Sequence, residues 1–490
     1  MMDGQSTAAA PALGVTVMPE WFQCEGIGPV LDRVRALGAT AIATSPYVLE
    51  VAPDGEGGRE PPADGDAGRV RPLDRPLFGR TELWVRTAPS FVHDRERYAG
   101  LRYQPSPPSA LTTRHAGLLD NVLAAAASRG IAVYLQVMAA SPPGYRVQFS
   151  SATAADQCLG PDGDAHTARV DRNASLASRE VVAYTATLVA ELAERYPAVA
   201  GFRLDWPEYP PYDFASALFD FNPAAAALMA ADGHDPAHVA RRVREWRDGL
   251  RGAARTAASR GPATVAAALD AAGWDALFTD DGALAPLFAA KRRAARALLA
   301  AVRAALDAVP GPRRLLEPQA FPPPFHFVSG FPLAELAGVA DGVGIKLYTM
   351  HWPMIARNWA RDLVGAASGG EVDAVTAAVA RRLRLVDGDV DGATLRYPEP
   401  HVAHPAGAVA QREKLDVAAG AAGRVPVTAF VHSYGPLADV VARYRIAARA
   451  GVPVWINRYG YLADAKVAAL AAARGLPAPR AGAGARSVSP

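Results

Sequence analysis

The stretch Gly201-Phe202-Arg203-Leu204-Asp205-Trp206-Pro207-Glu208-Tyr209-Pro210-Pro211-Tyr212 alternates in character and then turns. Successive side chains of a strand point to opposite faces. Phe202 and Leu204 therefore share one face, and Arg203 and Asp205 the other. An arginine and an aspartate turned toward an interior cost free energy unless they are paired or used. The segment before this run, from Ser178 to Arg195, carries Val181, Val182, Thr185, Leu188, Val189 and Leu192 at helical spacing. A helix followed by a strand with a polar end is one step of a parallel sheet with helices outside it.

The same step recurs along the chain. Further strand-like runs are Val15–Met18, Ala41–Thr44, Ala132–Val137, Arg314–Pro318, Val343–Tyr348, Val427–His432 and Val454–Asn457. Helical patterns stand between them, several closed by a glycine such as Gly38, Gly130 or Gly451. Eight runs suit a (β/α)8 TIM barrel. A doubly wound sheet is the alternative, but the Gly-rich phosphate turn that often follows its first strand is absent. The predicted barrel covers residues 14–476, with insertions at about 52–112, 206–286 and 385–412. The long insertion separates strands four and five. Ala52–Pro76, rich in Gly, Pro and Asp, reads as a mobile loop, and the ends, 1–13 and 477–490, as disordered.

Composition excludes several classes. The chain has 490 residues, half of them hydrophobic, and 51 basic against 49 acidic side chains. Such a length supports a large core, and the charge balance gives no broad footprint for nucleic acid or membrane. Two cysteines, Cys24 and Cys158, preclude a disulfide framework. No secretory leader or membrane span is read, so a cytoplasmic location is expected. Only four of the basic residues are lysines, Lys291, Lys346, Lys414 and Lys466. Three fall on helical stretches and read as solvated, whereas Lys346 falls mid-strand.

Applying the alternation to every run turns Tyr134 and Gln136, Lys346 and Tyr348, Thr428, Phe430 and His432, and Trp455 and Asn457 inward. Polar groups thus collect at strand C-termini, where barrel enzymes place their chemistry. Three acids are candidates: Asp205, Glu208 and Glu317. Glycoside hydrolysis uses two carboxyls flanking the bond, one protonated and one ionised. Gln136, Arg203, Lys346, Tyr348, His351, His432 and Asn457 would line a sugar site. Glu20, Trp21, Tyr47, Trp206, Trp352, Tyr434, Arg458 and Tyr459 are further contact candidates. Each has a plainer reading as a packed or ion-paired residue, and Asp205 itself could simply pair with Arg203.

Gly201-Phe202-Arg203-Leu204-Asp205 resembles the fourth-strand motif of the α-amylase-type glycoside hydrolases. Gly130-Ile131-Ala132-Val133-Tyr134-Leu135-Gln136-Val137 resembles that clan's third strand. Residues 173–212, with Asn173, Glu194-Arg195-Tyr196-Pro197 and Asp205, look like the uncharacterised bacterial glycosyl-hydrolase-like barrel proteins. The resemblance implies that Asp205 is the nucleophile and Arg203 its partner. The third strand continues Gln136-Val137-Met138-Ala139-Ala140-Ser141 where the amylase pattern has Asp-x-x-x-x-His, and the seventh brings His432 without an acid. The resemblance therefore bears on the nucleophile more than on the substrate. The expectation is a retaining glycoside hydrolase acting on a carbohydrate, with Glu317 as acid/base and Glu208 as its alternative, and with no cofactor or metal. Rival readings are a non-catalytic glycan-binding barrel and a metal-dependent barrel hydrolase. The second lacks both His-x-His and His-Glu-x-x-His.

Overall fold

The computed structural model describes residues 12–62, 71–142, 145–146, 149, 152–166 and 173–477. Its strands are β1 (Leu13–Thr16), β2 (Ala41–Thr44), β3 (Tyr47–Val51), β4 (Gly58–Glu60), β5 (Leu83–Pro89), β6 (Ala132–Met138), β7 (Gly201–Asp205), β8 (Leu315–Leu316), β9 (Gln319–Ala320), β10 (Val343–Leu347), β11 (Val427–His432) and β12 (Val454–Asn457). Nine of them form one sheet in the order β8-β7-β6-β2-β1-β12-β11-β10-β9, parallel throughout. The two end members are consecutive pieces of one run. Glu317 N–H donates to Phe202 O at 2.9 Å, and Gly344 N–H donates to Pro318 O at 2.9 Å. The run 315–320 thus bonds to β7 on one side and β10 on the other, and the sheet curls back to where it began. Helices surround it, as in a TIM-like barrel.

The fifth run differs from expectation in where it ends. Pro318 has no N–H to donate, which interrupts the ladder, but the chain resumes pairing at Gln319 and Ala320. Glu317 therefore lies in the middle of the run and not at its tip. The first strand is also displaced, occupying Leu13–Thr16 instead of Val15–Met18. The helix of the opening argument runs Arg179–Arg195, with Ser178 Oγ accepting from Val181 N–H at 3.3 Å. It buries Val181, Leu188, Val189 and Leu192 and packs against the helix Ala285–Ala308. Between β7 and β8 lie four further helices, Phe214–Ala217, Pro223–Ala231, Pro236–Ala257 and Pro262–Ala271.

Part of the stretch read as a mobile loop is ordered. β3, β5 and β4 form an antiparallel sheet in that order, and Gly58–Glu60 is its third member. Residues 63–70 of that stretch, and the ends 1–11 and 478–490, lie outside the described residues.

Two glycines set the barrel's interior. A Cβ on Gly14 would come 2.2 Å from the Trp455 ring, and one on Gly344 2.3 Å from the Phe430 ring. The bare backbone at these points lets both rings enter the barrel, where they stack with centroids 6.1 Å apart. Tyr134 meets Trp455 edge-on at 5.7 Å.

The lysines correct a second expectation. All four are buried, Lys291, Lys414 and Lys466 included. Lys291 Nζ donates to the carbonyls of Ala217 and Val328. Lys414 Nζ reaches Pro323 O at 2.7 Å and Leu383 O at 3.1 Å. Lys466 Nζ reaches Ser433 O, Tyr461 O and the Asp74 carboxylate. A compact ammonium with three donors fits converging carbonyls that a planar guanidinium would not.

Candidate active site

The inward residues stand in two layers. The lower layer centres on Arg203, which is fully buried. Its guanidinium carbon lies 3.2 Å from the Trp455 ring centroid, 4.7 Å from Phe430 and 5.1 Å from Tyr134. Desolvated cation–π contacts of this kind contribute on the order of 2 kcal/mol. Nη2 donates to Glu317 Oε2 at 2.5 Å. Burial pushes the Arg203 pKa down and the Glu317 charge opposes it. Glu317 is level with Arg203 across the β7–β8 ladder, two residues short of the level of Asp205. It faces Arg203 and is not brought to the mouth.

The upper layer opens on the strand C-termini. Asp205, at the end of β7, keeps about a fifth of its side chain exposed (19%). Its Oδ1 lies 3.1 Å from Lys346 Nζ in an ion pair and accepts from the neighbouring Trp206 N–H at 3.1 Å. Trp206 itself adopts φ +54, a left-handed conformation rare for a bulky residue and costing about 1–3 kcal/mol. Among the described residues Oδ2 meets only Gln136 Nε2, at 3.4 Å. Gln136 is itself fixed by Gln319, whose Nε2 donates to Gln136 Oε1 at 3.0 Å.

Lys346 also contacts Glu208 Oε1 at 3.2 Å. Sharing one ammonium brings the Asp205 and Glu208 oxygens within roughly 6 Å, close to the separations of about 5–9.5 Å used in glycoside hydrolysis. Glu208 is fully buried. It accepts from Phe321 N–H at 2.9 Å and Ser329 Oγ at 2.9 Å. Burial pushes its pKa up, and Lys346 opposes the rise. The backbone beneath is clamped: Asn173 Nδ2 holds Glu208 O at 3.1 Å, and Trp359 Nε1 holds Pro211 O at 3.0 Å.

Aromatic and basic groups rim this centre. The half-buried Tyr348 meets His351 at 5.9 Å and His432 at 5.5 Å, edge-on in both cases. Burial, then the Asp205 charge, raises the Tyr348 pKa well above its ordinary value. The same burial holds the His432 imidazole neutral, and its Nδ1 accepts from Tyr434 N–H. Arg458, with φ +68, lies past β12 beside the half-buried Asn457, and its Nη2 contacts Glu60 Oε1 at 3.4 Å. Glu60 pairs with Arg146, which donates to Glu20 at 3.0 Å; Tyr47 donates to Glu20 at 2.9 Å. Glu20 and Tyr47 thus stand behind Arg458 in a buried ionic chain.

Other candidates stand elsewhere. Trp352 is buried with Lys414 Nζ 5.1 Å from its ring, and Trp21 packs on Tyr459 at 5.5 Å under Gly460. The Tyr459 hydroxyl turns to Glu25, and that of Tyr434 to Pro398 O. These rings are anchored away from the carboxylate pair. Sequence reading missed Ser329, Gln319 and the Phe321 amide. The amide carries no residue signature, and the other two lie in stretches without a helical or strand pattern. Among the described residues no cluster of three or more metal-ligating side chains occurs, and no helix is long and apolar enough to cross a membrane.

No family model and no curated protein matches the chain. Solved structures do. The catalytic domain of beta-amylase from Paenibacillus polymyxa matches with TM-score 0.44 and 11% identity, over 94% of this chain and 95% of that one. The Bacillus cereus spore cortex-lytic enzyme SleL matches with TM-score 0.40 and 8% identity, over 96% and 76%. A Nostoc punctiforme debranching enzyme matches with TM-score 0.36 and 11% identity, over 96% and 83%.

Proposed function

We propose that the chain cleaves a glycosidic bond by a retaining mechanism, with Asp205 as nucleophile and Glu208 as the second carboxyl. The observation that carries this reading is the asymmetry of Asp205. One oxygen is held by Lys346 and the Trp206 N–H, while Oδ2, lightly held, is free to approach an anomeric carbon. Lys346 stabilises the charged form of the carboxylate. Glu208 suits the acid/base role because burial keeps its proton on to higher pH, as a proton donor requires. It reaches the leaving oxygen by side-chain rotation, exchanging Phe321 N–H and Ser329 for substrate while its backbone stays clamped. Tyr348 and Trp206 offer ring faces, and His351, Asn457 and Arg458 offer hydrogen bonds to hydroxyls.

Leaving groups test the assignment. Asp205→Asn should abolish release from aryl glycosides and from oligosaccharides alike. Glu208→Gln should retain the first-turnover burst of a nitrophenol, which departs without a proton, slow the later turnovers that need a base to activate water, and lose cleavage of unactivated oligosaccharides by about 10²–10⁴-fold. Undiminished steady-state turnover of both substrates by Glu208→Gln would remove Glu208 from the mechanism. Full burial of Glu208 also favours a second reading, a barrel that binds glycans without cutting them. Saturable oligosaccharide binding by the unaltered chain, with no turnover on any glycoside, is its mark.

A further inference from the structure

A second cavity, of about 450 Å³, opens between the turn Trp274–Phe278, the Pro323–Pro324 segment and the helices that carry Arg382 and Lys414. None of its lining residues is among those placed at the barrel mouth above. Phe278, Pro324 and Val417 supply apolar wall. The polar groups are mostly donors. Trp274 is 1% exposed, and its Nε1 has no hydrogen-bond partner among the described residues. A buried donor left so costs about 1–3 kcal/mol. Lys414 Nζ gives two of its three hydrogens to Pro323 O and Leu383 O.

Charge balance narrows the ligand. Arg381, Arg382 and Arg384 at the rim are matched one for one by Asp389, Asp270 and Glu413. Lys414 contacts no carboxylate among the described residues; Asp275, the remaining acid of the lining, is exposed and solvated, so the buried ammonium is left without an ion-pair partner. A monoanion answers it, whereas a dianion would add a buried charge of its own. The volume lies in the range of small-molecule sites, about 300–1,000 Å³.

We propose that this cavity binds a small organic monocarboxylate with a flat apolar body, its carboxylate accepting hydrogen bonds from Lys414 and Trp274. Burial pushes the Lys414 ammonium down to about 7, so the arriving carboxylate also restores its charge. The site is independent of the glycosidase reading.

Benzoate is the probe, and the indole N–H signals of the ¹⁵N-tryptophan-labelled full chain are the readout, with Trp274 identified by the peak lost in Trp274→Phe. The expected result is a saturable shift of that peak with benzoate, weakened at least tenfold in affinity by Lys414→Met. Val417→Trp, at a wall position 45% exposed and so harmless to the core, should abolish it by filling the cavity. No saturable shift, or equal affinity in both variants, overturns the proposal. An equal response to benzyl alcohol removes the anionic head from it, and a stronger response to inorganic phosphate overturns the choice of a monoanion.

Discussion

Lys346 joins two carboxylates that would otherwise repel one another, and its removal separates stability from chemistry. Lys346→Met strips the cation from Asp205 and from Glu208, whose carboxyl then keeps its proton to still higher pH; the loss approaches the roughly 3–5 kcal/mol of a broken buried pair only where Glu208 is ionised. The expected outcome is a lower denaturant midpoint. Adding Glu208→Gln should recover part of the loss at high pH, where Glu208 would otherwise ionise without its cation, and little at low pH. A midpoint unchanged in Lys346→Met would show that the ammonium does not sustain Glu208. At this scale the alternation rule placed Arg203, Asp205, Gln136, Lys346 and Tyr348 inward, as they are. The sequence reading ends the fifth run at Pro318 and so puts Glu317 at its tip. Here Pro318 only interrupts the ladder, so Glu317 lies a layer lower, against Arg203. Glu317→Gln should therefore destabilise the fold by leaving Arg203 unpaired among aromatic rings, with thermal denaturation as the measurement.

The strands carry their own test. Gly344, in β10, faces the Phe430 ring so closely that any side chain must displace it. Gly344→Ala should cost about 1–3 kcal/mol through overpacking, read as a fall in thermal midpoint, while alanine at the open Gly249, inside the helix Pro236–Ala257, should raise the midpoint by about 0.5–1 kcal/mol of stability. Propensity alone scores both glycines as weak points. Only the partner strand distinguishes them, and no local pattern reports a partner. The same limit explains β3, β5 and β4. Their antiparallel pairing spans residues 47–89, and the Gly- and Asp-rich composition between them reads as loop. β7, by contrast, was legible to the residue, because its alternation and the helix before it are both local.

Across the whole molecule, buried titratable groups give stability a direction with pH. Burial holds His404 and His432 well below 6.5, so the unfolded chain binds protons that the folded chain refuses. Their contribution is complete above pH 6.5 and is lost as the pH falls below it. Lys414 titrates near 7 when folded, against 10.5 when free. Its contribution therefore grows as pH rises from about 7 to about 10.5. Tyr47, Tyr209 and Tyr348, whose burial raises their pKa well above 10.0, reverse the trend beyond that value. The thermal midpoint should climb from pH 5 to about 10 and then fall. Lys414→Met should flatten the climb above about pH 7 and leave the acid side intact. A climb that Lys414→Met does not alter would dissociate the lysine from the effect.

Arginine rather than lysine covers the outside of this protein. Since every ε-amine is tied down inside, an acylating reagent meets no lysine target on the folded chain beyond what local opening reveals. Each of the four sites then reacts at the rate at which its own loop lets go. Mass spectrometry of the modified chain would resolve them separately, making the lysines a built-in set of clocks for the opening of the mouth, the second cavity and the two outer knots.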